Sequence, residues 1–309
     1  MFNTEKIAIL LAAYNGEKYI EGQINSLLGQ SYTEWELYIH DDGSKDRTRE
    51  IINTYAKKYP DRIHVLNATS CGGAKENFFF MLRQVQAPYI MFCDQDDIWV
   101  RDKIETTLAQ MQSTEEQMGA EIPVLVFSDL SIADRGLNLL AERMSKYQKL
   151  NPNRVRPENL IIQNVITGCT VMINRTLAEL AVKPENTDKI IMHDWWCALI
   201  AADFGKISFV NRPLVLYRQH DDNTIGAKKL NKWSYIKGQL HNGSAIRTSL
   251  LLKQKQSAKF AETYRTTNPL FQEFGMLNEK KKLQRMLFYI KRRIYFCGWQ
   301  RNLGLLIWG

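Results

Sequence analysis

Apolar runs that end on polar or acidic residues, with helical patterns between them, constrain this chain more than any other feature. IAILLAAYN (7–15) is apolar up to Tyr14, as a strand covered on both faces must be. Ile20, Ile24, Leu27 and Leu28 then share one helical face. WELYIHDD (35–42) reads as a second strand, and RTREIINTYAKKYP (47–60) as a helix stopped by Pro60. A short strand IHVLN, a Gly72–Gly73 loop, a helix ENFFFMLRQV, a strand PYIMFC and a helix DKIETTLAQMQ complete the series. Alternation of this kind predicts an α/β fold with a doubly wound, mainly parallel sheet. Such sheets bind ligands at the carboxyl ends of their strands. This chain gathers Asn15, Asp41, Asp42, Thr69 to Lys75 and Asp94 to Asp97 there.

Beyond residue 120 the pattern loosens. VLVFSDLSI (124–132) and ITGCTVMINR (166–175) read as further strands on either side of a polar segment over 134–160. MHDWWCALIAADFG reads as a helix opening near His193 or Asp194, with Gly205 as its C-cap. ISFVNRPLVLYRQHDDN reads as a strand pair interrupted by Pro213. The formal net charge of +8 conceals a division. Residues 1–227 carry 24 Lys/Arg against 30 Asp/Glu, whereas residues 228–309 carry 17 against 3. The expectation is an α/β body over 1–227 and a basic, mostly helical region over 228–309.

Several classes fall away. The five cysteines are scattered and form no C-x-x-C pair, which argues against a disulfide framework or a zinc site and for a reducing compartment. No stretch has the run of about 18 apolar residues that a membrane span needs. The opening MFNTEKIAILLAAYNG carries Glu5 ahead of a short apolar run and lacks a small-residue cleavage site, so it is not read as a signal peptide.

Three carboxylates crowd DQDD (94–97), each raising the cost of ionising the others. One account is a solvated acidic turn with Asp97 capping the next helix. The other is a divalent cation: Mg²⁺ or Mn²⁺ prefers hard oxygens, takes few from protein and leaves positions for diphosphate oxygens. The alternate spacing of Asp94 and Asp96 lets both face one centre. A phosphotransferase with a nucleophilic first Asp is set aside, because Ile98 stands where Thr or Val usually follows and the motif ends the fourth strand.

HDDGSKDRT (40–48) is either a strand-to-helix turn capped by Ser44 or Asp46, or a site where a carboxylate accepts a pyrimidine N–H beside Ala12 to Asn15. In HDWW (193–196), Asp194 is either a helix-end acid or a general base. Trp195 and Trp196 are correspondingly either core or a platform for a sugar ring. His220 of YRQH is structural or, near a metal, a ligand.

In this order and spacing, AYNG, HDDGSKDRT, KENF, DQDDIW, TGCTVMINR, HDWW and YRQH resemble glycosyltransferase family 2, most of all its bacterial rhamnosyltransferase-like members of cell-surface polysaccharide synthesis. The resemblance covers roughly residues 5–225. It implies a GT-A fold, a nucleotide-binding sheet continuous with an acceptor-binding half. Asp41 and Asp42, the latter foremost, correspond to the base-binding acids, and Ala13 and Tyr14 to the loop packed on the base. Lys75 and Asn77 correspond to polar residues facing the nucleotide. Asp94 and Asp96 correspond to the metal and ribose pair, and His220 to an additional metal ligand. Gly168 and Cys169 correspond to a loop near the acceptor, and Asp194 to the catalytic base. The implied reaction is inverting transfer from a dTDP- or UDP-sugar, L-rhamnose from dTDP-rhamnose before glucose or galactose, to a lipid-linked glycan, with Mg²⁺ or Mn²⁺ as cofactor. No Ser–His or Cys–His arrangement suggests an enzyme nucleophile.

Residues 276–309 hold eight Lys/Arg and one acid, Glu279. Leu283, Met286, Leu287, Ile290, Ile294 and Cys297 fall on one helical stripe there. A packed helical subdomain, a nucleic-acid surface and a helix lying on anionic lipid all fit that pattern. The lipid surface is favoured, which places the protein in the cytoplasm, peripheral at the inner face of the membrane; a homo-oligomer contact is a further use for the aromatic residues. The rival from another class is a nucleic-acid-binding protein whose α/β half merely binds a nucleotide. The acidic balance of residues 1–227 speaks against a nucleic-acid partner.

Overall fold

The computed structural model describes residues 6–220 and 243–308. Strand β1 (Ile7–Ala13) leads through helix α1 (Ile20–Leu28) to β2 (Trp35–Asp41), and α2 (Thr48–Lys58) leads to β3 (Ile63–Val65). Helix α3 (Ala74–Gln84) returns the chain to β4 (Tyr89–Asp94) beside β1. The order 3-2-1-4 is parallel throughout, and it sets the ends of β1, β2 and β4 side by side: Ala13 pairs with Asp41, and Ala12 with Asp94.

The second half continues the same sheet. After the short β5 (Ile98–Trp99) and α4 (Lys103–Met118) come β6 (Val124–Ala133), β7 (Leu139–Ala141), α5 (Met144–Tyr147) and α6 (Pro157–Leu160). A 3₁₀ turn (Gly168–Thr170) opens β8 (Val171–Asn174), followed by α7 (Arg175–Ala181), α8 (His193–Phe204) and β9 (Lys206–Arg218). The sheet has nine strands in the order 3-2-1-4-8-6-9-5, with β7 against β6. Strand β8 runs antiparallel between β4 and β6, and this is where the nucleotide-type half joins the remainder.

Burial on both faces makes these strands apolar at every position. Ala8, Leu10, Ile90, Phe92, Leu125 and Phe127 point into one core, and Ile7, Ile9, Leu11, Met91, Val124 and Val126 into the other. Pro213 does not divide the last strand as expected. Strand β9 runs unbroken over 206–218, and the register against β6 slips between Ser128 and Asp129, so Pro213 sits where no ladder N–H is required. Gly205 closes α8 as expected, but in extended rather than left-handed backbone. Its absent side chain matters because a Cβ there would collide with the Pro123 carbonyl.

Helices α9 (Gly243–Tyr264), α10 (Pro269–Gly275), α11 (Lys282–Lys291) and α12 (Trp299–Trp308) follow. The boundary expected at 227–228 lies outside the described residues. Leu250, Phe260, Phe271, Phe274, Tyr289 and Ile294 enter the core that holds Phe78, Phe92 and Trp196. The predicted stripe of the tail is therefore split. Arg293 adopts a left-handed backbone (φ 53°) just past α11, turning Ile294 and Cys297 into the core. Leu283, Leu287 and Ile290 remain on the outer face, 67%, 57% and 52% exposed. No helix among the described residues is long and apolar enough to cross a membrane.

Candidate active site

A cavity of about 1210 Å³ opens at the carboxyl ends of β1, β2 and β4. Its rim is built by loops that hold one another. Asn15, in left-handed backbone, donates its N–H to Ser44 Oγ (2.8 Å) and accepts the Lys45 N–H (2.9 Å). Gln95 brackets Tyr14, accepting its N–H (2.9 Å) and donating to its carbonyl (2.8 Å). Gly16 is needed at this point because a Cβ would strike the Gln95 amide. The Tyr14 side chain is left half exposed over the opening, and Ala13 lines the wall beside it.

The two acids that end β2 take different positions. Asp41 is buried and accepts from the Ser44 N–H and hydroxyl, and only Asp42 reaches the cavity. Asp42 Oδ1 accepts from Ser70 Oγ (2.9 Å), the Cys71 N–H and the Gly72 N–H (3.2 Å), and Oδ2 from the Gly73 N–H (2.7 Å). Burial alone would raise this carboxyl. The four donors, led by Cys71, outweigh it and hold the group below the usual carboxylate range. Asn77 lines the same wall but is locked to His40, Oδ1 to Nδ1 at 2.9 Å.

Lys75 departs from expectation. Its ammonium donates to the Thr187 (2.9 Å) and Ile190 (3.1 Å) carbonyls and pairs with Glu76 (3.0 Å), tying α3 to the segment before α8. It does not line the cavity. Cys71 lies 4.0 Å from His40 Nδ1, a contact not legible in the sequence. Burial first, then Asp42, pushes its thiol up, so the pair is not an activated nucleophile.

At the end of β4, Asp94 and Asp96 face the cavity, and Asp97 turns inward to full burial. Asp96 Oδ2 lies 2.8 Å from His220 Nε2, and the His220 ring stacks on Tyr19 with centroids 4.8 Å apart. Burial, then Asp96 and Asp194, pushes Asp94 up to about 7. Asp97 is driven well above the carboxylate range by burial and by the same two neighbours of its loop, although it accepts the Arg218 N–H (3.2 Å). Its Oδ2 has no partner, and Asp94, Asp97 and Cys169 present ligand atoms within 4.8 Å of one another. Carboxylates that destabilise each other's charge and leave a buried oxygen unpaired suit a divalent cation. Asp94 and Asp96 offer the hard oxygens and His220 an imidazole.

Across the cavity, α8 begins at His193. Asp194 is buried in its first turn, accepting the Trp195 N–H (2.6 Å) and the Gly168 N–H. Burial pushes its carboxyl up to about 6 against those hydrogen bonds, a value suited to taking a proton near neutrality. Gly168 lines the cavity, whereas Cys169 is buried beside Asp97 and does not. Trp195 also lines it, held by Nε1–H to the Leu160 carbonyl (2.6 Å). Trp196 does not serve as the expected platform: one helical step turns it away, to pack on Phe260 (5.4 Å) and Tyr264 (5.7 Å).

The sequence reading passed over His193. Its ring lies 4.0 Å from that of Phe78 and 4.6 Å from that of Phe92, and neither nitrogen has a partner. Burial pushes it down to about 3, so it is a neutral imidazole on the cavity wall beside Asp194. A small residue at 168 is required, since a Cβ there would lie 3.0 Å from His193 Nε2.

The family model for glycosyl transferase family 2 matches residues 8–180, which carry every strand end described above except that of β9. The chain belongs to glycosyltransferase family 2. Among relatives, the dTDP-rhamnosyl transferase RfbG of Shigella flexneri is 30% identical over 237 residues, covering 73% of this chain and 76% of that protein. The UDP-Glc:alpha-D-GlcNAc-diphosphoundecaprenol beta-1,3-glucosyltransferase WfgD of Escherichia coli is 26% identical over 206 residues, 66% of this chain and 73% of that one. The mannosyltransferase PcManGT of Pyrobaculum calidifontis, solved with GDP-Man and Mn²⁺, superposes with a TM-score of 0.51 at 14% identity over 98% of this chain and 84% of that structure. The protein is therefore a glycosyltransferase of GT-A fold, and the cavity at the ends of β1, β2 and β4 is its candidate active site.

Proposed function

We propose that this family 2 glycosyltransferase moves L-rhamnose from dTDP-L-rhamnose to a hydroxyl of a lipid-linked glycan, with inversion at the anomeric carbon. One observation carries the reading: Asp194, its carboxyl pushed up to about 6, lines the same cavity as Asp94, Asp96 and His220. A single base facing a cation-binding carboxylate cluster suits one in-line displacement, in which the acceptor hydroxyl gives its proton to Asp194 as its oxygen attacks the sugar. Asp94, Asp96 and His220 would hold Mg²⁺ or Mn²⁺, which when bound neutralises the charge of the departing nucleoside diphosphate. Tyr14 and Ala13 pack on the base, and Trp195 lies along the acceptor sugar. Asp42 orders the 70–73 loop beside the nucleotide through its four accepted hydrogen bonds.

The Shigella relative supports the donor, and the Escherichia relative supports both the lipid-diphosphate acceptor and a second donor reading, UDP-glucose or UDP-galactose. Mass spectrometry of products from dTDP-rhamnose, UDP-glucose and UDP-galactose, each with a lipid-diphosphate-linked sugar, separates these readings. A rhamnosyl product is expected. Hydrolysis of all three donors without a glycosylated acceptor would refute the reading.

Helix α11 suits such an acceptor. Its outer face presents Leu283, Leu287 and Ile290, with Lys280, Lys281, Lys282, Lys291 and Arg293 exposed around them. An apolar stripe with a basic border fits the headgroup layer of an anionic membrane, with the chain peripheral to it.

A further inference from the structure

The C-terminal helices also reach the cavity. Gln256 of α9 accepts the Ile191 N–H through Oε1 (2.8 Å), which seats the helix against the segment leading into His193 and Asp194. The Cys297 N–H donates to Gln163 Oε1 (2.7 Å), which fastens the stretch after α11 to the 162–167 segment. Between these two clamps, Lys253 and Phe296 line the cavity with Gln163, Ile191 and Trp195, and the Lys253 ammonium lies 4.8 Å from the centre of the Phe296 ring. They come from elements other than the strand ends that carry Asp42, Asp94 and Asp96.

Lys253 has no hydrogen-bonding or ion-pair partner among the described residues. Burial pushes its ammonium down to about 8, and no carboxylate acts to raise it. A lysine side chain normally carries its charge out to bulk water. Here the charge stays inside a concave site, against an aromatic face, without a counter-charge, although removal from water disfavours an unpaired ammonium. An anionic ligand group entering the cavity would supply the missing partner.

We propose that Lys253, seated on Phe296, is the acceptor phosphate subsite: it pairs with a phosphate of a lipid-diphosphate-linked glycan while the sugar hydroxyl faces Asp194. This rests on the transfer reading above and adds the group that recognises the acceptor's anionic linkage. Neither Asp194 nor the Asp94–Asp96 cluster can do this, being acidic themselves.

The test is calorimetric titration of the full chain, in EDTA and without donor, using farnesyl diphosphate, inorganic diphosphate and farnesol as probes. The wild-type protein is expected to bind farnesyl diphosphate. Lys253→Ala should weaken that binding by about 10- to 100-fold, the scale of one charge-assisted contact, and Lys253→Arg should keep most of it. Farnesol affinity should be the same in all three proteins. Inorganic diphosphate should lose affinity in the Ala variant in the same proportion if the subsite reads phosphate alone. Equal farnesyl diphosphate affinity in wild type and Lys253→Ala, or no binding by wild type, overturns the subsite. So does a glycosyl-acceptor KM that Lys253→Ala leaves unchanged while transfer proceeds, and the transferase reading then stands without it. If no transfer is found but the Ala variant loses farnesyl diphosphate, the subsite stands and the transferase reading fails.

Discussion

Asp194→Asn should make the protein more stable at pH 8 and almost inactive. Burial holds this carboxyl at about 6 against an ordinary 3.8, so the folded state binds its proton more tightly than the unfolded chain does. The interval corresponds to about 3 kcal/mol. A raised folded value sets the direction. Below about pH 4 the group is protonated in both states and the fold bears no charge cost; between about 4 and 6 stability declines as pH rises; above 6 the whole cost is present. Asparagine keeps an oxygen to accept the Trp195 and Gly168 N–H groups and removes the charge. For a chain of this size, at about 2–4 °C for each kcal/mol, the variant should melt about 5–10 °C above wild type at pH 8 and level with it at pH 4.

Scanning calorimetry in EDTA, at unit pH steps from 4 to 8, reads this directly. Turnover measured alongside should fall by about two orders of magnitude or more, with nucleotide binding kept. A melting difference that does not grow with pH, or a variant less stable than wild type at pH 8, would show that Asp194 is not a desolvated carboxylate held ready for proton transfer.

Chelation should abolish transfer, and Asp96→Ala or His220→Ala should weaken Mn²⁺ binding by about 10- to 100-fold in a direct titration; undiminished transfer in excess EDTA would remove the cation from Asp94 and Asp96. Gly205→Ala should destabilise by about 1–3 kcal/mol in a denaturant melt, because the new Cβ meets the Pro123 carbonyl even though the backbone there is one any residue can adopt. Replacing Leu283, Leu287 and Ile290 together by Glu should lower co-sedimentation with anionic vesicles by about 100-fold while leaving the melting temperature unchanged, since all three side chains lie outside the core; equal sedimentation would exclude α11 as the membrane face.

The parallel half was legible because its strands are buried on both faces and each ends in a short acidic or small-residue loop. Apolar runs located β1, β2 and β4, and their ends located the cavity. Pro213 misled because a proline inside a strand normally marks a break, whereas here the register slip opposite Asp129 absorbs it. Helical periodicity placed the tail's apolar residues on one stripe, but a single left-handed residue, Arg293, ends that periodicity and sends half of the stripe inward. HDWW was rightly seen as a helix start. Which of its aromatic residues faces ligand depended on the rotation of α8, and that is set by Trp196 packing on Phe260 and Tyr264, about 65 residues further along the chain.

The same distance explains why His193 and Lys253 escaped notice. Their chemistry comes from a missing partner, and a missing partner is a property of the folded surroundings rather than of spacing. His193 follows a methionine and precedes the presumed base, and nothing local separates a packed histidine from a neutral imidazole enclosed by Phe78 and Phe92. Lys253 is one of 17 basic residues in its region, and the other sixteen supply a ready electrostatic account for all of them. Only the hydrogen bond from Ile191 to Gln256, one turn along α9, brings that helix to the catalytic segment and turns one lysine inward. A basic, apolar-striped tail thus serves two ends of one task. Its outer face suits the lipid surface, and its inner face closes the cavity that the acceptor's head must enter.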